Sequence, residues 1–168
     1  MERPAIRRLR EEIKQTKPFH DRAHAAALAL LRTADTVRRS LDELIGPQGV
    51  SAEQYNVLRI LRGAGPKGLP TLEISARLLE KNPGITRLID KLEAKKLVLR
   101  QRCEMDRRQV FCTITAAGEE LVRKLDEPAR AQNRELFRGL TDPQIDTLID
   151  LLDRVRNPET KTAKETEK

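Results

Sequence analysis

The chain has 168 residues, 38% of them apolar, and its 33 basic against 26 acidic side chains leave a formal net charge of +7. This length predicts one compact domain, and the positive charge favours a polyanionic partner, either nucleic acid or an anionic membrane. No run approaches the roughly 18 consecutive apolar residues of a membrane span, and the N-terminus lacks the apolar stretch of a signal peptide, so we expect a cytoplasmic protein with no membrane partner.

Two helices are predicted in the first 50 residues. Apolar side chains at three- and four-residue spacing predict a short helix over residues 4–15. A second helix is predicted from Phe19 to Ile45, where Gly46-Pro47 ends it. Its apolar stripe consists of Ala23, Ala27, Leu30, Leu31, Ala34, Val37, Leu41 and Leu44.

Three shorter helices are predicted next. Ser51 and Gln54 form a capping-box pattern that opens the first, whose buried stripe is Val57, Leu58 and Leu61. After a loop over residues 63–70, Thr71 begins a helix of about two turns. Asn82-Pro83 then provides the N-cap and first residue of a third helix reaching about Lys95. Its core-facing residues are Ile85, Leu88, Ile89 and Leu92, which leaves the opposite face for a ligand.

The pattern then changes from helix to strand and back to helix. Residues 97–102 and 109–115 are β-favouring runs around a charged turn, which predicts a hairpin. A helix follows from Gly118, and Thr141-Asp142-Pro143 caps the last one. The apolar stripe of that last helix is Ile145, Leu148, Ile149, Leu152 and Val155. The polar tail over residues 157–168 is predicted to be disordered.

Three helices followed by a hairpin within residues 51–115 is the order of a winged helix-turn-helix. The predicted fold is therefore mainly α with a small β-hairpin wing (α+β), flanked by N- and C-terminal dimerisation helices. We divide the chain into dimerisation helices (1–50), a DNA-binding lobe (51–118), further dimerisation helices (119–156) and the tail, within one compact domain overall.

Charge supports duplex DNA as the ligand of the third helix and the hairpin. Eight basic residues lie between Asn82 and Gln109, and the apolar stripe turns Thr86, Arg87 and Lys91 away from the core. Such a basic face is, on an arbitrary helix, simply solvated; here it coincides with the helix that enters the major groove. With no tryptophan, one tyrosine and three phenylalanines, the chain has little to stack on single-stranded bases.

Four stretches of the sequence resemble the MarR family of bacterial regulators, and together they cover residues 51–121. They read SAEQYNVLRIL, LEISARLL, PGITRLIDKLEAKKLV and DRRQVFCTITAAGEEL. The resemblance implies a triangular homodimer that presents two recognition helices to successive major grooves of a pseudo-palindromic operator. It also implies a ligand-responsive repressor whose effector is a small aromatic or anionic molecule.

The resemblance also assigns roles to residues. Thr86 and Arg87 would face the major groove, and Arg107 would contact phosphate. Arg108 would enter a minor groove at the tip of the wing, where narrow grooves concentrate negative potential, with Asp106 orienting it. The complete predicted DNA-binding set is Asn82, Thr86, Arg87, Lys91, Arg102, Arg107 and Arg108.

The sequence departs from the family pattern at two places. Lys96 stands where relatives usually have the glycine that ends the recognition helix, which predicts either another turn geometry or a strained residue. Pro83-Gly84 opens that helix and removes two side chains that relatives often use to contact bases.

Other motifs give weaker indications. The glycine-rich run at residues 63–68 follows a helix rather than a strand, so it does not predict nucleotide binding. His20 and His24 lack the further ligands of a zinc site, and no catalytic motif occurs, so we expect no metal, no cofactor and no enzymatic activity. Cys103 and Cys112 flank the wing turn and allow a redox disulfide, although a buried Cys112 and an inert Cys103 are favoured.

Two further functions stay open from the sequence. One is a constitutive or architectural DNA-binding protein without an effector. The other is an adaptor that uses the winged helix to bind proteins.

Overall fold

The computed structural model describes residues 3–79, 84–102 and 110–158. The helices and strands in these ranges are α1 (Pro4–Glu12), α2 (Arg22–Ile45), α3 (Ala52–Ala64), β1 (Leu69–Pro70), α4 (Thr71–Arg77), α5 (Ile85–Ala94), β2 (Val98–Arg102), β3 (Val110–Ile114), α6 (Ala116–Leu136) and α7 (Asp142–Arg156). This order confirms the predicted mainly helical fold with a β wing. Within the described ranges, none of the helices combines the length and the apolarity needed to cross a membrane.

The chain divides into two compact units, Met1–Ala129 and Arg130–Lys168. The first unit contains the core. Sixteen buried side chains from the end of α2, from α3 to α5, from the sheet and from the first half of α6 form one cluster. Arg62 on α3 donates two hydrogen bonds, of 2.7 and 3.0 Å, to the Asp126 carboxylate on α6. This bidentate pair fixes α6 against α3 in a geometry that guanidinium and carboxylate favour.

The N-terminal helices are shorter than predicted because local caps end them. Asp21 accepts a hydrogen bond from the His24 amide at 2.7 Å, so α2 begins at Arg22 rather than Phe19. Helix α1 ends at Glu12, three residues before its predicted end. Lys14 there adopts a left-handed φ of 53° and closes a Schellman motif.

Helix α3 begins as its sequence predicts. Ser51 accepts a hydrogen bond from the Gln54 amide at 3.2 Å, and the Gln54 side chain accepts one from the Ser51 amide at 3.1 Å. The predicted buried residues of this helix, Val57, Leu58 and Leu61, are fully enclosed. Both the capping box and the core face of α3 are confirmed.

The sheet has three antiparallel strands in the order β1-β3-β2, one more than the predicted hairpin. The prediction of a loop over residues 63–70 was wrong, because α3 extends to Ala64 and Leu69-Pro70 pairs with Cys112 and Phe111. Thr71 does not cap α4 either; its hydroxyl donates to the Val110 carbonyl at 3.2 Å. A two-residue strand has no periodicity of its own, so only its partner strand reveals it.

The turn from α5 into β2 contains a strained residue, one of the two alternatives that the sequence predicted. Lys96 has a φ of 59°, and its amide and that of Leu97 donate to the carbonyls of Glu93 and Leu92 in a regular Schellman motif. Thr115 then donates from its hydroxyl to the Lys96 carbonyl at 2.8 Å. The turn geometry is therefore the usual one, with lysine in the place that glycine prefers.

Helix α6 begins two residues before the predicted Gly118, at Ala116. A Cβ on Gly118 would collide with the Leu97 carbonyl and the Ile114 side chain, so this position requires glycine for the close approach of α6 to the sheet.

The second unit contains α7, which begins after Thr141 as predicted. The Gln144 side chain accepts a hydrogen bond from the Thr141 amide at 2.9 Å. Although α7 carries the predicted apolar stripe, none of its residues is buried. The predicted tail lies outside the described residues apart from Asn157 and Pro158.

Candidate nucleic-acid interface

Helix α5 has one buried face and one free face. Ile85, Leu88, Ile89 and Leu92 are all buried in the core, as predicted. The helix begins at Ile85 with Gly84 in the N-cap position, whereas Asn82 and Pro83, predicted as N-cap and first residue, lie outside the described residues. The core contacts of the four apolar side chains fix which side of α5 faces solvent.

Three of the predicted DNA-binding residues lie on the solvent face of α5. Thr86, Arg87 and Lys91 are all exposed, at a spacing that places them along one side of the helix. Arg102, at the end of β2, is exposed as well. Across the described ranges, the side chains of Arg87, Lys91 and Arg102 form no hydrogen bond or ion pair. Their charges are therefore available to an anionic ligand.

Arg100 differs from these three cations. The sequence places it among the basic donors for DNA, yet its guanidinium contacts the carboxylates of Asp90 and Glu93 and donates to the Thr86 carbonyl at 3.2 Å. Sequence reasoning missed this cluster. The signal was present in two acidic residues three apart on α5 and an arginine on the following strand.

Lys95 forms a second internal contact at the end of α5. Its ammonium group donates to the Gly49 carbonyl and lies 3.5 Å from the Gln54 side-chain oxygen. This contact ties the end of α5 to the segment between α2 and α3, and it takes Lys95 out of the set of free cations.

The wing tip lies outside the described residues. Asp106, Arg107 and Arg108, predicted to orient and make the wing contacts with DNA, belong to that segment, and so does Cys103. Their roles stay predictions. On the described part of the wing, β2 and β3 pair in register from Val98 opposite Ile114 to Arg102 opposite Val110, which directs both strands towards that tip.

The remaining chemically notable side chains are internal. Cys112 is fully buried, and its burial raises the pKa of the thiol, partly offset by a contact with the Thr71 hydroxyl at 3.9 Å. A thiol held protonated is a poor nucleophile. The rings of His20 and His24 stack with centroids 5.8 Å apart. In the described ranges no group of three or more His, Cys, Asp or Glu side chains gathers as a metal site would require.

Comparison with known proteins yields consistent matches. The MarR family model matches residues 50–110. The HTH-type transcriptional regulator YpoP of Bacillus subtilis is 31% identical over 123 residues, which are 71% of this chain and 82% of that protein.

Two solved structures are also similar. A MarR transcription factor from Planctomyces limnophilus has 38% identity and a TM-score of 0.64, covering 80% of this chain and 98% of its own. A mutant MarR from E. coli, crystallised in complex with operator DNA, has 26% identity and a TM-score of 0.69, covering 76% and 90%.

Proposed function

The chain belongs to the MarR family of DNA-binding transcriptional regulators, and from this premise we propose that it is a sequence-specific repressor that binds duplex DNA as a homodimer. The observation that carries the proposal is the solvent face of α5. Its arginine and lysine have no internal partner, and the opposite face is locked into the core. The related E. coli protein is described in complex with operator DNA.

The proposed contacts follow from this placement. Thr86 and Arg87 contact base edges in the major groove, together with Asn82 just before the helix. Lys91 and Arg102 contact phosphates, which fix the register of the protein on the duplex. In the wing tip, Arg107 contacts phosphate, and Arg108, oriented by Asp106, enters the minor groove.

The homodimer provides the second half-site contact. The apolar stripes of α2 and α7 stay uncovered within one chain, with Leu31 and Val155 among the exposed residues, and apolar surfaces of this size usually mark an interface. We assign residues 1–50 and 119–156 to dimerisation and residues 51–118 to DNA binding. Two recognition helices held at fixed spacing would match a pseudo-palindromic operator.

Regulation by a small aromatic or anionic effector is part of the same proposal, and it follows from the family resemblance. The protein is proposed to act in the cytoplasm, without enzymatic activity. The relatives named above are transcriptional regulators or a transcription factor, which supports a role in gene control.

Selection of bound duplexes from a random pool tests the proposal. We expect an enriched pseudo-palindrome whose half-site centres lie about one helical turn apart, roughly 10 base pairs. Arg87→Ala should weaken binding to this operator. Lys124→Ala removes the same charge from the exposed face of α6 and should leave binding unchanged. Negligible duplex binding at low salt would favour the adaptor function instead, and binding without sequence preference would favour an architectural protein.

A further inference from the structure

Arg100 is the one arginine of the described wing strands whose side chain points towards the recognition helix. It lies directly opposite Cys112 in the antiparallel pair of β2 and β3, and Cys112 is fully buried. Residues directly opposite share a face of the sheet, and so do residues two apart on one strand, such as Val98, also fully buried. Arg100 therefore leaves the sheet on its core side, and its side chain is only 25% exposed.

The guanidinium reaches three acceptors on α5. It contacts the Asp90 carboxylate, lies 3.5 Å from the Glu93 carboxylate through Nε, and donates to the Thr86 carbonyl at 3.2 Å. Residues 86, 90 and 93 are four and three apart, so they form one stripe along α5. A planar fork held at three points along a helix fixes both the rotation of that helix about its axis and its distance from β2.

The contacts also have an electrostatic consequence. Asp90 is on the solvent face of α5, between the free cations Arg87 and Lys91, and its side chain is half exposed. An unpaired carboxylate in that place would repel the phosphates that the neighbouring cations attract. The charge of Arg100 is used to cancel this repulsion rather than to attract DNA.

We propose that Arg100 is a positioning residue, which sets the orientation of the recognition helix relative to the wing and does not itself bind DNA. This inference rests on the proposed function. It separates the basic residues of the lobe into two groups: Arg87, Lys91 and Arg102 contact the ligand, whereas Arg100 holds the helix that presents two of them.

The double variant Arg100→Gln/Asp90→Asn tests the proposal, because it removes the clamp without changing the net charge. Binding is measured by titration of the selected operator and of a random duplex at several salt concentrations. We expect operator affinity to fall about tenfold or more, while affinity for random duplex and the salt dependence stay as in the parent protein. Sequence preference depends on the orientation of base-contacting side chains, whereas random binding depends on the number of phosphate contacts.

Arg102→Gln is the matched control, since Arg102 is exposed and unpaired on the same strand. It should weaken operator and random duplex alike and reduce the salt slope by about 0.9. If the double variant behaves like this control, Arg100 is a phosphate contact and the proposal is wrong. An unchanged operator affinity in the double variant would also overturn it.

Two further measurements keep the outcome clear. Circular dichroism and thermal unfolding check the fold; if the double variant does not fold, Arg100→Lys, which keeps the charge but loses the planar fork, is tested for the same loss of operator preference. A parent protein that shows no preference for any duplex would refute the proposed function itself, before any variant is compared.

Discussion

Helices α5 and α7 have the same kind of amphipathic pattern, and the structure covers only one of them. All four apolar residues of the α5 stripe are buried in the core of their own unit. The α7 stripe has no buried residue, and Ile149 and Val155 are 56% and 67% exposed. The periodicity of a helix thus identifies its apolar face, but the partner that covers this face depends on the rest of the assembly. For α7 we infer that the partner is a second copy of the chain.

The comparison is sharpened most by equal truncations in the two helices. Ile89→Ala removes a fully buried side chain and should destabilise the chain by about 2–5 kcal/mol at every protein concentration. Ile149→Ala should destabilise it only where dimerisation contributes, so its effect should grow with protein concentration. Urea unfolding of both variants at two concentrations measures this difference, and a concentration-independent loss for Ile149→Ala would count against the interface.

A charge on the α7 stripe should break the dimer. Leu152→Asp places a carboxylate among apolar side chains and should weaken dimerisation by about 2–3 kcal/mol, since an unpaired charge is costly to bury. Operator binding should weaken with it, because two half-sites must be held at fixed spacing. Asp150→Asn on the exposed polar face of the same helix is the control. Retained operator affinity in a proven monomer would refute the coupling.

The wing should contribute a smaller, sequence-dependent effect. Arg108→Ala should weaken operator binding by about 1–3 kcal/mol in each half-site, because a charge-assisted contact to the minor groove is removed. Arg107→Ala should weaken all duplexes alike and reduce the salt slope by about one unit for each phosphate that it no longer neutralises. Titration of operator and random duplex across salt distinguishes the two variants. If Arg108→Ala binds the operator as tightly as the parent, the assignment of the wing tip is wrong.

The smallest effect concerns the strained turn after α5. Lys96→Gly removes a left-handed lysine, a conformation that costs roughly 1–2 kcal/mol, and gains flexibility in the unfolded chain, so the net stabilisation should be about 0.5–1 kcal/mol. Ala94→Gly, at the last residue of α5, should destabilise by about 0.5–1 kcal/mol. Thermal unfolding should therefore show shifts of opposite sign, and equal shifts would exclude strain at Lys96.

The elements with strong local signals were predicted well from the sequence. Capping residues at Ser51 and Thr141 marked the starts of α3 and α7, and the core face of α5 followed from its spacing. These features depend on neighbours within a few positions in the chain.

Features that depend on distant partners were not predicted. Strand β1 exists because Leu69 pairs with Cys112, which is far away in the sequence, and the left-handed Lys14 ends α1 without a glycine to announce it. In the candidate site, the same limit applies to Arg100: composition shows a cation, but only the fold shows that Asp90 and Glu93 already hold it.

The mass of the chain in solution tests the central claim most directly, because the uncovered stripes of α2 and α7 require a second copy. Light scattering at micromolar concentration, with the protein alone and with the selected operator, should give a protein mass twice the 19.2 kDa of one chain in both samples. A mass of one chain in both samples, with operator binding intact, would contradict the account.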